Sequence, residues 1–328
     1  MRHVRRTGLI LGRRAFLAGA TAALWPRPAR AQRPRTPPRI GWISTDREPD
    51  PFLEGFREGL RQHGYVDGQT VIVEVRRGSV DELRAVVAQL KTKVAFLVAA
   101  GPAIRAVRGT QDVSVLFAVS GDPIEAGLAK SLAQPGQNFS GITFLSLEVA
   151  AKRIELLKEA LPGLRTLAVL SNVDHPGEPS ERRASEAAAR TLGITLAYVP
   201  FKTGAELEDG LRGVRNARPD AMIVFPEGAT VANRAKVAEF AITQRLPSMF
   251  GWSEYVDAGG LMSYGANVRE AYVQLARYAD RLLRGARPAE LPIVQPTRFE
   301  LVVNIRTAKL LDLTIPQTIT MRAARLIE

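Results

Sequence analysis

The chain has 328 residues and no cysteine. Disulfides, thiolate metal sites, a cysteine nucleophile and a lipid-modified cysteine anchor are therefore excluded. Histidine is nearly as scarce: His3, His63 and His175 are the three, and none has partners at metal-ligand spacing. The spaced motifs of common enzyme classes are missing too. There is no G-x-S-x-G elbow, no Walker-type phosphate loop and no G-x-G-x-x-G turn, so no catalytic residue, metal ligand or cofactor is expected. Aromatic residues make up only 6% and do not interleave with basic runs.

The formal charge of +12 looks like a nucleic-acid signal until the arginines are located. Residues 1–31 hold seven Arg and no Asp or Glu, and taking seven from +12 leaves +5 for the remainder. A residual of that size spread over charged helices is a solvated surface, so no nucleic-acid partner is expected. The same segment reads as a twin-arginine export signal. Arg13 and Arg14 stand before Phe16, Leu17 and an apolar run to Trp25, and Ala29-Arg30-Ala31 forms a small-x-small cleavage pattern before Gln32. The run is about 11 residues, against the ~20 that span a bilayer. These features predict cleavage after Ala31, a periplasmic location and no stable membrane insertion.

Beyond a Pro/Arg-rich linker at 32–38, apolar runs of strand length alternate with segments of helical period, the pattern of parallel sheets with crossover helices. Strands are expected near 39–44, 70–75, 94–99, 114–119 and 139–143, with helices near 50–63, 80–91, 102–108 and 123–133. The pattern restarts with strands near 166–171, 194–199, 220–225, 246–250 and 260–264, separated by helices near 180–192, 204–216 and 229–244. A helix near 268–284 and a strand with a short helix after 291 follow. Two similar α/β halves whose chain crosses between them more than once would be hinged. Ligands of open α/β sheets sit beyond the carboxyl ends of the strands, so two facing sheets would clamp a small molecule between their loops.

That rule selects the candidate residues. Ser44 and Thr45 follow the first strand, and Ala100 and Gly101 follow the third. Ser120 and Asp122 lie in "AVSGDPIEAG", where Asp122-Pro123-Ile124-Glu125 reads as a helix start with an acid cap, a proline at the first position and Glu three residues on. Amides at such a start would favour an anion near Ser120. Asn172 and Glu227 follow strands of the second half. Glu227 could neutralise a ligand ammonium, or could simply cap the helix that follows it. Trp252, Ser253 and Tyr264 lie where an aromatic side chain could stack on a ligand or fill the hinge. His175 reads as a loop residue and His63 as a helix end. No candidate nucleophile has an evident base beside it.

Four stretches, "SVLFAVSGDPIEAGLAKSLAQPGQNFSGIT", "KRIELLKEALPG", "AGGLMSYG" and "ELPIVQPTRFELVVNIRTAKLLDLTIP", resemble in order and spacing the ABC transporter substrate-binding proteins related to tryptophan- and tyrosine-binding lipoproteins. These fall within the type I periplasmic-binding superfamily. The resemblance implies an α/β fold of two Rossmann-like lobes with parallel sheets joined by a three-segment hinge. The lobes would comprise 39–143 with about 262–294, and 144–258 with about 297–328, the crossings falling near 140–144, 252–261 and 294–299. It implies a monomer that closes on a small molecule, such as an aromatic or other amino acid, and delivers it to a permease and its ATPase. The loops at Ser44, Thr45, Ala100, Gly101, Ser120, Asp122, Asn172 and Glu227 would line the cleft, with Ser253 beside the second crossing. An exported α/β hydrolase or isomerase acting on a small carboxylate through Asp122 or Glu227 is the alternative. The effector lobe of a transcription regulator would need a helix-turn-helix where the export signal stands.

Overall fold

The structure is a computed structural model, and it describes residues 36–45, 48, 50–144 and 147–328; the export-signal and cleavage-site expectations lie outside these residues. The first part of the chain runs β1 (Arg39–Ser44), α1 (Pro51–Gln62), β2 (Ile72–Arg77), α2 (Val80–Leu90), β3 (Phe96–Ala100), α3 (Ile104–Val107), β4 (Ser114–Val119) and β5 (Phe139–Thr143). Its five strands are all parallel, in the order β2-β1-β3-β4-β5. The inner strands β3 and β4 read FLVAA and SVLFAV with nearly every residue buried. That continuity reflects a sheet covered on both faces, since a half-solvated strand would alternate.

The second part runs α4 (Leu147–Ala160), β6 (Thr166–Asn172), α5 (Glu178–Leu192), β7 (Thr195–Phe201), α6 (Leu207–Ala217), β8 (Ala221–Val224), α7 (Gly228–Ala232), α8 (Arg234–Thr243), β9 (Ser248–Phe250), α9 (Ser253–Asp257) and β10 (Met262–Gly265). The chain then returns to the first lobe as α10 (Val268–Leu283), and ends in the second as β11 (Glu300–Asn304), α11 (Ile305–Leu310), α12 (Gln317–Thr320) and β12 (Arg325–Ile327). The second sheet has seven strands in the order β12-β11-β10-β9-β8-β6-β7, parallel except where β11 runs against β10.

The return of α10 follows from the sequence of α1. A Cβ on Gly59 would stand 2.4 Å from the Val273 carbonyl oxygen, and one on Gly55 would stand 3.2 Å from the Arg269 carbonyl oxygen. The missing side chains let the two helix axes approach closely, and burial of Phe52, Leu53, Phe56, Tyr272, Leu275 and Ala276 holds them there. Fully burying side chains of this size contributes about 1.5–3 kcal/mol each. Beyond α10, Val294 bridges to Ile142 at the edge of the first sheet, and the Ser140 hydroxyl donates to the Leu291 carbonyl at 2.7 Å.

Several elements differ from the sequence reading. The helix expected over 123–133 does not form. The Asp122 carboxylate accepts from the amides of Ile124 and Glu125 at 2.7 and 3.3 Å, as a cap should, but Gly127 takes φ +70° and the chain leaves the turn at once. The buried pair Leu128 and Ala129 then packs into the first lobe in irregular conformation. Next, Met262–Gly265 pairs with β9 and β11 in the second sheet, so this segment, assigned from sequence to the first lobe, belongs to the second. The corresponding crossing follows Gly265 rather than lying near 252–261. Last, α4 occupies a stretch given no element from sequence, and the expected helix over 229–244 is split at Asn233 into α7 and α8.

Candidate functional site

The carboxyl ends of the two sheets face each other, and a narrow cavity lies between them. Its walls are Phe52, Ala100, Gly101, Ala118, Val119, Ser120, Phe144 and Tyr272 from the first lobe and the first crossing, and His175, Glu227, Gly228 and Trp252 from the second. The free space amounts to about 20 Å³, roughly the room of one water molecule. A larger solute needs the walls further apart.

Four aromatic rings form a closed circuit on one side. Phe52 stacks on Tyr272 at a centroid distance of 5.0 Å and meets the edge of Trp252 at 5.7 Å, while Phe144 lies 6.1 Å from Trp252 and 6.4 Å from Tyr272. Four different chain passages supply them: α1, the first crossing and α10 on one side, and the loop before α9 on the other. Such pairs add about 0.5–1.5 kcal/mol beyond burial, and a flat ring entering among them would find faces and edges ready to pack on.

Glu227 stands opposite. Its carboxylate caps α7, accepting from the amides of Thr230 at 2.5 Å and Ala229 at 3.1 Å, and receives the Asn172 side-chain amide at 3.3 Å. Burial pushes its carboxyl up, and these three donors pull it back down. Glu227 thus caps a helix and at the same time lines the cavity. Asn172 acts at one remove. Its own oxygen accepts from the Asp174 amide at 2.9 Å, fixing which way the side-chain amide points.

His175 is the residue that sequence reasoning passed over. It is 6% exposed and lies across the cleft from Ser120, with Nε2 3.2 Å from the Ser120 hydroxyl oxygen. The backbone N–H of Gly177 donates to its Nδ1 at 3.0 Å, so the ring proton sits on Nε2 and is donated to Ser120. The Ser120 hydroxyl in turn donates to the Pro226 carbonyl at 3.4 Å. Burial first, and Arg105 second, push the imidazole pKa down to about 4, and the ring is neutral.

A serine beside a histidine invites comparison with nucleophilic catalysis, and the polarity of the bond argues against it. An activating base must take the serine proton on an unprotonated nitrogen, with a carboxylate orienting the other nitrogen. Here Nε2 already carries the proton, and Nδ1 faces an amide donor. Among the described residues no group of three or more His, Asp or Glu is placed to hold a metal ion, and no helix is long and apolar enough to cross a membrane.

Of the residues predicted from sequence, Ala100, Gly101, Ser120 and Glu227 line the cavity and Asn172 touches it through Glu227. Ser44, Thr45, Asp122 and Ser253 do not line it. Ser44 is buried at the end of β1, where its carbonyl accepts from the Gly78 amide at 3.3 Å. Asp122 spends its carboxylate on its own turn, and with no helix there the expected anion site beside Ser120 loses its dipole. Ser253 is the first residue of α9, immediately after Trp252. Phe52, Phe144 and Tyr272 were absent from the sequence prediction, although the helical spacing of Phe52 and Tyr272 marks both as inward-facing.

The tyrosine-binding protein of Clostridioides difficile (strain R20291) is 22% identical over 270 residues, covering 80% of this chain and 77% of the relative. Two solved structures share the fold: a conserved domain protein of Vibrio cholerae O1 biovar El Tor N16961 (TM-score 0.80, 23% identity) and the ABC domain of Streptococcus pneumoniae in complex with L-Trp (TM-score 0.79, 24% identity). Each covers 89% of this chain and 100% of its own. The sequence model of one family matches residues 46–327, nearly the whole described chain. By that match the chain belongs to the ABC transporter substrate binding protein family.

Proposed function

We propose that the protein is a periplasmic solute-binding component of an ABC importer that holds an aromatic amino acid between its lobes, returns it unchanged and passes it to a permease and its ATPase. The observation that carries this is the pairing, in one cavity, of a buried carboxylate, Glu227, with the circuit of Phe52, Phe144, Trp252 and Tyr272. Glu227 would receive the ammonium, and the rings would pack on the side chain. The neutral donor at His175 Nε2 and the Ser120 hydroxyl would meet ligand oxygens once the lobes part. The tyrosine-binding relative and the L-Trp complex support the same class.

The lobes would comprise 39–143 with 268–294, and 147–265 with 300–328, in a monomer. Export would use the twin-arginine signal with cleavage after Ala31, which N-terminal sequencing of the exported form would check. The decisive experiment is a thermal-shift screen of the protein against amino acids, nucleosides, sugars and small carboxylates. A ligand at ~100 times its Kd adds ~2.7 kcal/mol, so L-tyrosine, L-tryptophan or L-phenylalanine should raise Tm by several degrees and be recovered intact. A shift confined to sugars, nucleosides or simple carboxylates would overturn the reading.

A further inference from the structure

At the rim of the cleft the two lobes meet backbone to backbone. A Cβ on Gly121 would lie 2.9 Å from the Gly177 nitrogen and 2.9 Å from the Pro176 carbonyl carbon. A Cβ on Gly177 would lie 2.6 Å from the Ser120 carbonyl oxygen and 2.8 Å from the Gly121 nitrogen. Neither glycine is required by its own lobe. Gly177 has φ −84° and ψ −14°, ordinary for any residue, and Gly121 is not among the glycines of positive φ. The atoms that forbid a side chain all belong to the opposite lobe.

We propose that Gly121 and Gly177 form the closure contact of the cleft: the lobes shut on each other there through protein atoms alone, and a side chain at either position holds them apart. The contact is tied on both sides. The Thr143 hydroxyl donates to the Gly121 carbonyl at 2.8 Å, locking it to the last strand before the first crossing. The Gly177 amide is engaged by His175, whose Nε2–H reaches Ser120 in the residue before Gly121. Around this centre, Arg105 pairs with Asp174 at 3.0 Å, and Ser180 and Arg183 reach Glu125 at 2.8 and 3.0 Å. The ion pairs Arg105–Asp174 and Arg183–Glu125 are exposed and each is worth little; steric fit at the glycines decides how near the lobes come.

The proposal rests on the two-lobe reading but not on the identity of the solute, and its test needs none. Because the chain has no cysteine of its own, spin labels can be placed at Lys130→Cys and Ala187→Cys, one exposed position in each lobe, and their separation measured by double electron–electron resonance without added ligand. The parent should populate a short distance alongside a long one. Gly177→Ala, and independently Gly121→Ala, should lower the ratio of short to long populations at least tenfold with an unchanged melting temperature. Gly163→Ala, at a glycine with nothing within 4 Å, should change neither, and Ser120→Ala, which removes the hydrogen bonds to His175 and Pro226, should lower the ratio only severalfold. Unchanged distances in both glycine variants would overturn the proposal. So would the absence of any short distance in the parent, or a clear loss of Tm in both variants, which would put the glycines' role inside their own lobes. Failure of every amino acid in the solute screen would leave these distances unaffected, so the two readings fail separately.

Discussion

The two walls of the cleft are built on the same plan and equipped differently. In the first lobe, β3 and β4 end in Ala100, Gly101, Ala118, Val119 and Ser120, small residues that continue the apolar runs of strands buried on both faces. In the second lobe, the loops after β6 and β8 carry His175 and Glu227, both more than nine-tenths buried and both titratable. The first wall therefore offers shape and aromatic surface from α1 and α10, whereas the second holds the charge. A solute of the proposed class would meet aromatic surface on one side and a buried carboxylate on the other.

The comparison is broken most directly at Glu227. Glu227→Gln keeps an acceptor for the α7 amides but removes the charge, and truncating one partner of a buried charge pair costs about 2–5 kcal/mol. Calorimetric titration with the amino acid found in the screen should show that loss; an affinity within threefold of the parent would remove Glu227 from the ligand.

Acid should act next most strongly, through His175. In the closed cleft the imidazole pKa is about 4 against an ordinary 6.5, and opening returns the ring toward the ordinary value. The open form then binds a proton that the closed form refuses, so closure loses stability as pH falls from about 6.5 and the loss levels off near 4. The full span is about 3 kcal/mol. Arg105 and Asp174 pair at the rim beside this ring, and Glu227 lines the same cavity. Glu227 also loses charge on acidification, so the comparison is between the parent and His175→Gln, whose short-distance population should be flatter over that window. Equal pH profiles would deny the imidazole this part.

Trp252→Leu keeps an apolar side chain but gives up the edge contact with Phe52, and should weaken binding of an aromatic amino acid by about 1 kcal/mol while barely affecting an aliphatic one. The smallest effect belongs to Asp122. Asp122→Ala should lower stability by about 0.5 kcal/mol through loss of the turn cap and leave affinity unchanged. A tenfold loss of affinity in that variant would return Asp122 to the binding surface.

Asp122 and Glu227 also show how far local signals reach. Each is an acid just beyond a buried strand, in a setting that reads as a helix start, and from sequence they are equivalent candidates. Asp122 caps a single turn that Gly127 ends, and its carboxylate stays outside the cavity. Glu227 caps a helix and is buried against the facing lobe. His175 gave less warning still, because a histidine in a loop carries no periodicity, and its partner Ser120 lies 55 residues earlier in the chain.

The alternation of apolar strand-length runs with amphipathic helices determined by itself that the protein has two α/β halves, because these periodicities are local and each element must bury one face or both. The strand-end positions Ala100, Gly101, Ser120 and Glu227 followed from that pattern, since cleft loops stand at the carboxyl ends of such strands. Only the tertiary structure decided that Met262–Gly265 joins the second sheet. Its pairing with β11 depends on residues some forty positions later, a distance at which hydrophobic period carries no information about partners. The same is true of Gly121 and Gly177. Nothing in their own conformations calls for glycine, and the reason for both lies in the backbone of the opposite lobe.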